Sequence, residues 1–153
     1  GVPALVLRWL APAGDAGTLR ALAFLFGLGL YAFVLMLILR HIFTARRVGS
    51  VTLLMAVNGY LLLGVIWAGA YILCEVFQPG SFRGLDPGAP APTLELYYFS
   101  FVTLTTLGYG DIVPLAAAPR SLALAEALCG VMFTGVLVAR LIGMYTGAEI
   151  EKE

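Results

Sequence analysis

The chain has 153 residues, of which 61% are hydrophobic and 12% charged, and its basic and acidic side chains balance to a formal net charge of zero. Soluble domains average about 45–50% apolar and about 25% charged residues, so this composition places the chain in a membrane. The lack of net positive charge leaves no electrostatic footprint for nucleic acid. Cys74 and Cys129 fall in separate apolar runs, fit neither a disulfide framework nor a zinc motif, and read as small buried apolar residues. The sequence opens on Gly1 in place of Met, which suggests a processed or shortened chain.

Residues 1–20 read as a segment of their own. Val2 to Leu10 is apolar but interrupted by Pro3, Arg8 and Trp9, and a run this short cannot cross about 30 Å of hydrocarbon as a helix. It is either an interfacial segment anchored by Trp9 or the remnant of a truncated helix. Ala21 to Leu39, bounded by Arg20 and Arg40, is long enough to cross, which predicts a first transmembrane helix over 21–40. Arg40, His41, Arg46 and Arg47 crowd the connection to a second apolar run, Val51 to Val76, broken only by Asn58 and closed by Glu75. Basic residues in a short connection mark the cytoplasmic side, so the first span enters from outside and the second returns there. His41, the only histidine, reads as a basic-loop residue at headgroup depth. With no nucleophile and base in sight, the chain is not read as an enzyme.

Pro79, Gly80, Gly84, Pro87, Gly88, Pro90 and Pro92 punctuate the next stretch, which predicts an extracellular loop without regular structure. Thr93 suits a helix N-cap and Glu95 its first turn. A short helix follows from Leu94 to Thr105 through Tyr97, Tyr98, Phe99 and Phe101. Too short to span, it must re-enter, which is tolerated only where protein and a water-filled cavity surround it. Its negative C-terminal end favours a cation there. After Pro114 and Pro119, Leu122 to Met144 forms the last span. Three crossings place the polar tail, 147–153, in the cytoplasm, and residues 51–146 form one pore domain.

Between the short helix and the last span lies Thr103-Leu104-Thr105-Thr106-Leu107-Gly108-Tyr109-Gly110-Asp111. A dehydrated cation needs a ring of oxygen dipoles in place of its water shell, and backbone carbonyls supply one if they all point inward. A regular strand alternates its carbonyls. Aligning them requires residues at positive φ, which Gly108 and Gly110 provide. The carbonyls of Thr106, Leu107, Gly108 and Tyr109, with the Thr106 hydroxyl beneath, would then stack as rings, and one chain gives only one side of each.

The run Thr106-Leu107-Gly108-Tyr109-Gly110-Asp111 resembles the potassium-channel filter, usually Thr-Val-Gly-Tyr-Gly-Asp, with Leu107 in place of a β-branched residue. The likeness extends from about Val51 to Met144. It implies an all-α membrane protein with three transmembrane helices, a re-entrant pore helix and a selectivity filter, assembled as a homotetramer in the plasma membrane. K+ would bind at Thr106, Leu107, Gly108 and Tyr109, with Gly110 completing the filter and Thr105 and Asp111 supporting it. Conduction would be passive, without a cofactor, with three further copies and membrane lipid as the partners. The rival readings are a weakly selective cation channel, which the intact Gly-Tyr-Gly disfavours, and a subunit of a potassium uptake transporter, which the single filter per chain disfavours.

In the last span, Gly130 and Gly135 stand where the family's inner helix has a hinge, although small residues there also permit close helix packing. The family register turns Val131, Thr134, Val138 and Ile142 to the pore, and Val138 with Ile142 would close it by dewetting. Arg140 reads as an anchor to lipid or to a helix end. The sequence also departs from the family. The tryptophan that normally donates to the aspartate after the filter is here Phe99, which leaves Asp111 to water or to Tyr98. Voltage sensors carry an arginine at every third position, and no segment does so here. Glu126, deep in the last span, needs donors, with Tyr98, Ser100 and Thr103 the nearest candidates. It either braces the filter from behind or joins helices as a neutral acid.

Overall fold

The computed structural model describes residues 15–44, 50–86 and 92–150. The segment bearing Trp9, the connection with Arg46 and Arg47, Pro87 to Pro90, and the end of the tail lie outside the described residues. Among the described residues there are four helices: α1, Asp15–Thr44; α2, Ser50–Phe77; α3, Pro92–Leu104; and α4, Ala117–Ile150. Three contain stretches long and apolar enough to cross a membrane, Phe24–Thr44, Val51–Phe77 and Ala117–Arg140, and α3 is the short fourth. This is the all-helical, multi-pass architecture expected. The helices overrun the apolar runs that announce them, α1 by starting at Asp15 and α4 by ending at Ile150. An apolar run sets what is buried, and an established helix extends past it one residue at a time. Pro92 opens α3 and Pro119 lies in the first turn of α4, where a missing N–H leaves no bond unmade. Thr93 is therefore inside the helix and not its cap.

Small residues bring α1 onto α2. A Cβ at Gly69 would stand 2.7 Å from Leu28 Cδ1, and one at Gly59 3.1 Å from Ile38 Cγ2. Such close approach drives helix association in a bilayer, where apolar burial alone gives no preference for protein over lipid. A polar lock adds to it. Arg140 Nε donates to the Ile42 carbonyl at 2.9 Å and its Nη2 to the Phe43 carbonyl at 2.6 Å, with the guanidinium 5.9 Å from the Phe43 ring centroid. Those carbonyls belong to the last turn of α1, which has no intrahelical donors and carries the negative end of the helix dipole. Of its two expected roles, Arg140 takes the helix-end one, at the far end of another helix.

Helix α3 packs between α2 and α4. Around its N-terminal half, Tyr71, Ile72, Phe82, Leu96, Phe99 and Ile112 form one buried cluster. The rings of Tyr71, Phe82 and Phe99 meet edge to face at 5.0–5.7 Å between centroids, the geometry that aromatic quadrupoles favour. Phe82 explains why the loop is not irregular as expected. Buried in this cluster, it anchors a two-residue strand, β1 (Phe82–Arg83), which pairs antiparallel with β2 (Val113–Pro114) in the register Phe82 to Pro114 and Arg83 to Val113. The Ser81 carbonyl accepts the N–H groups of Leu115 at 2.8 Å and Ala116 at 3.3 Å. A ladder of two residues is too short to leave a periodic signal.

Arg140→Ala removes both bonds to α1 and leaves two helix-end carbonyls without those donors, which costs about 1–3 kcal/mol. Thermal unfolding of the detergent-solubilised protein should begin at a lower temperature, and an unchanged midpoint would show that the lock does not hold α1.

Candidate ion-conduction site

Helix α3 ends in a turn that delivers the chain to the run Thr106 to Gly110. Thr106 N–H donates to the Thr103 carbonyl at 2.9 Å and Leu107 N–H to the Val102 carbonyl at 2.9 Å. This paired arrangement closes a helix through a left-handed residue, usually glycine. Here that residue is Thr106, with φ 58°. A β-branched side chain in this region is strained by roughly 1–3 kcal/mol, which the surrounding bonds must offset. Gly108 and Gly110 follow with φ 58° and 78°, so every second residue from Thr106 to Gly110 is left-handed. The sequence marks the two glycines as left-handed but not Thr106, which it names only for its carbonyl and hydroxyl, because threonine carries no signal for positive φ. Thr105, the other support, donates its hydroxyl to the Phe101 carbonyl at 2.7 Å.

The consequence is a run of unpaired acceptors. Among the described residues, no donor is bonded to the carbonyls from Thr105 to Gly110. The whole stretch from Thr105 to Asp111 is exposed on the single chain, including 55% of Leu107 and 66% of Tyr109. Such a backbone at membrane depth requires partners from outside its own chain.

Beyond the filter, the Tyr98 hydroxyl donates to Asp111 Oδ2 at 2.7 Å, and the Ile112 N–H to Asp111 Oδ1 at 3.0 Å. The Tyr98 bond is the main reason the Asp111 carboxyl is held below the usual carboxylate range. Phe99 lies in the aromatic cluster instead, so the donor has moved one residue along α3. On the loop, Gly84 has φ 93°, and a Cβ there would collide with the Asp111 carbonyl. The β1–β2 ladder and Gly84 thus clamp the chain just past Gly110. Neither was visible in the sequence, although an isolated Phe82 in a polar loop is a usable sign of an anchor.

At the inner end, the Leu104 carbonyl accepts the Tyr60 hydroxyl at 3.2 Å, and a Cβ at Gly130 would collide with that same oxygen. The close-packing reading of Gly130 therefore has a structural basis, while a Cβ at Gly135 would meet nothing within 4 Å. Val131, Thr134, Val138 and Ile142 are exposed on the single chain, and the Thr134 hydroxyl bonds back to its own helix at Gly130 and Val131. Cys129 is exposed, not buried as its apolar surroundings suggest, and Cys74 is half-buried. Glu126 is fully buried and bonded by Ser100 and by Tyr71, both at 2.5 Å. Of the three expected donors, Tyr98 serves Asp111, and Ser100 alone reaches Glu126. Tyr71 was missed, though a tyrosine inside an apolar span needs a partner for its hydroxyl.

Residues 59–147 match a family model described as "Ion channel". The inward rectifier potassium channel Kirbac3.1 of Paramagnetospirillum magnetotacticum is 30% identical over 57% of this chain and 27% of its own length. The voltage-gated potassium channel Kch of Escherichia coli is 28% identical over 80% of this chain and likewise 27% of its own length. Protein LctB of Bacillus caldotenax is 31% identical over 75% of this chain and 92% of its own length. The chain thus spans about a quarter of the length of the two larger relatives. No solved structure matches it significantly. On the family match and these relatives, the chain belongs to the potassium-channel pore family, a family of ion channels and not of enzymes.

Because Tyr98 favours the ionised form of Asp111, its stabilising effect is present at neutral pH and is lost as pH falls through the lowered value. In Tyr98→Phe the Asp111 carboxyl should titrate nearer the ordinary range, at higher pH than in the parent, as read by NMR of labelled aspartate. Identical titration curves would show that the hydroxyl does not control it.

Proposed function

We propose that the chain is one subunit of a potassium-selective channel in the plasma membrane, conducting K+ passively through a filter built by four copies. The observation that carries this reading is the run of exposed, unpaired carbonyls with alternating left-handed residues at Thr106, Gly108 and Gly110. Four such runs around an axis give stacked oxygen rings at Thr106, Leu107, Gly108 and Tyr109, capped by Gly110, that replace a hydration shell without fixed charge. The end of α3 points its negative dipole at the same axis. Asp111 and Tyr98 hold the filter's outer end, and Thr105 closes the helix beneath it. The pore unit is 51–146, and α1 stands outside it as a peripheral helix.

The same assembly accounts for the exposed face of α4. With four copies around the axis, Val138 and Ile142 form an apolar constriction near the cytoplasmic end, and Gly135, unobstructed within the chain, supplies the flexibility for it to widen. Gly130, packed on the pore helix, is a fulcrum above it. The basic connection between α1 and α2 lies in the cytoplasm, with the C-terminus on the same side.

Replacing Gly108 or Gly110 by alanine puts a Cβ at positive φ and should abolish potassium selectivity in bilayer recordings. A potassium over sodium preference equal to the parent's in both variants would remove the filter assignment. For orientation, Ser81 is a poor reporter because it is buried, but Arg83 and Thr44 are exposed. A cysteine at Arg83 should react with an impermeant thiol reagent from outside the cell and one at Thr44 should not, whereas the opposite pattern inverts the topology.

A further inference from the structure

Glu126 sits in a closed polar cluster in which the hydrogens can be counted. Three oxygen pairs are in contact: Tyr71 Oη with Glu126 Oε2 at 2.5 Å, Ser100 Oγ with Glu126 Oε1 at 2.5 Å, and Ser100 Oγ with the Gly64 carbonyl at 2.8 Å. Each contact at these lengths needs one hydrogen between its oxygens. Tyr71 and Ser100 bring one each. The Gly64 carbonyl brings none, so an ionised Glu126 leaves one of the three pairs as two lone pairs pressed together.

We propose that Glu126 carries the third proton and acts as a positioning residue, fixing α3, and through it the filter, to α2 and α4. Its carboxyl O–H donates to Ser100, Ser100 donates to the Gly64 carbonyl, and Tyr71 donates to the other carboxyl oxygen. The chain of bonds runs from α4 through α3 to α2 and returns to α4. Every polar atom in it is satisfied. The surroundings suit a neutral acid: Glu126 and Ser100 are both 0% exposed, and among the described residues no basic side chain is bonded to Glu126. The titratable groups around the cluster all lie on α2, Tyr71 bonded to Glu126, Tyr60 facing it and Cys74 near Tyr71, and side chains of these types are ordinarily uncharged at physiological pH. Tyr60 is already engaged with the Leu104 carbonyl.

The placement gives the cluster its leverage. Ser100 lies on the turn of α3 just before the residues that close the helix, and Phe101 beside it rests on Gly64, where a Cβ would stand 2.7 Å from its ring. The bond from Ser100 to Gly64 therefore fixes the height of α3 against α2 at the point of closest approach. Losing the carboxyl proton frees α3 to shift there, six residues ahead of Thr106. That effect on the filter rests on the channel reading above, while the proton itself does not.

The test separates the two. Infrared spectra of the purified parent should contain a protonated-carboxyl C=O band at neutral pH that shifts in heavy water and is missing in Glu126→Gln. In recordings, Glu126→Gln should match the parent, since its amide donates to Ser100 and accepts from Tyr71, and it should be insensitive to alkaline solution where the parent loses current. Glu126→Ala leaves the Tyr71 hydroxyl without its acceptor and Ser100 without the donor from α4, and should shorten openings about tenfold or more. Absence of the band from the parent, or openings of Glu126→Gln as short as those of Glu126→Ala, would overturn the proposal. A band present in a protein that does not conduct would keep the proton and reject the channel reading instead.

Discussion

A backbone carbonyl inside a membrane must find a donor or a cation, and the segment between α3 and β2 is shaped so that its own chain offers it neither. Left-handed residues at Thr106, Gly108 and Gly110 keep the carbonyls from folding back into a ladder or a helix. The rest of the structure follows from holding that unfavourable backbone in place. Strain at Thr106 persists only because the turn around it is over-determined by bonds to Val102 and Thr103. The turn in turn depends on α3 being unable to slide.

Three contacts prevent sliding, each at a different height. Glu126 with Ser100 and Tyr71 holds the middle of α3. Tyr60 and the bare backbone at Gly130 receive its last carbonyl, at Leu104. The aromatic cluster around Phe99 holds its N-terminal half, and the same cluster carries Phe82 and so the strand that clamps the chain past Gly110. Asp111 links these supports, since one carboxylate bonds Tyr98 on α3 while its carbonyl packs on Gly84 of the loop. The first helix touches this scaffold through Phe24, which packs against the aromatic cluster. It is also joined to α4 through Arg140, so any force on α1 reaches the part of α4 that lines the proposed constriction.

The long apolar helices, the short helix and the left-handed glycines were legible in the sequence because each has a length or a residue type that only one arrangement tolerates. Apolar runs of spanning length have to cross, a shorter one that leads into Gly-Tyr-Gly has to turn back, and glycines mark positive φ. What stayed hidden depends on pairs far apart in the chain. Tyr71 and Glu126 are separated by 55 residues, Arg140 and Ile42 by 98, and nothing local in either partner names the other. Helix ends were misjudged for a related reason: hydrophobicity marks the lipid boundary, whereas the hydrogen-bond ladder decides where a helix stops. The positive φ of Thr106 was not legible because it is imposed by the turn against the residue's own preference.

Purified protein in a planar bilayer with potassium on one side and sodium on the other tests K+ selection by these carbonyls without reference to any variant. Single-channel currents should be carried almost wholly by potassium, with a reversal potential displaced far toward the potassium equilibrium value. Reversal near zero, with potassium and sodium passing alike, would contradict it.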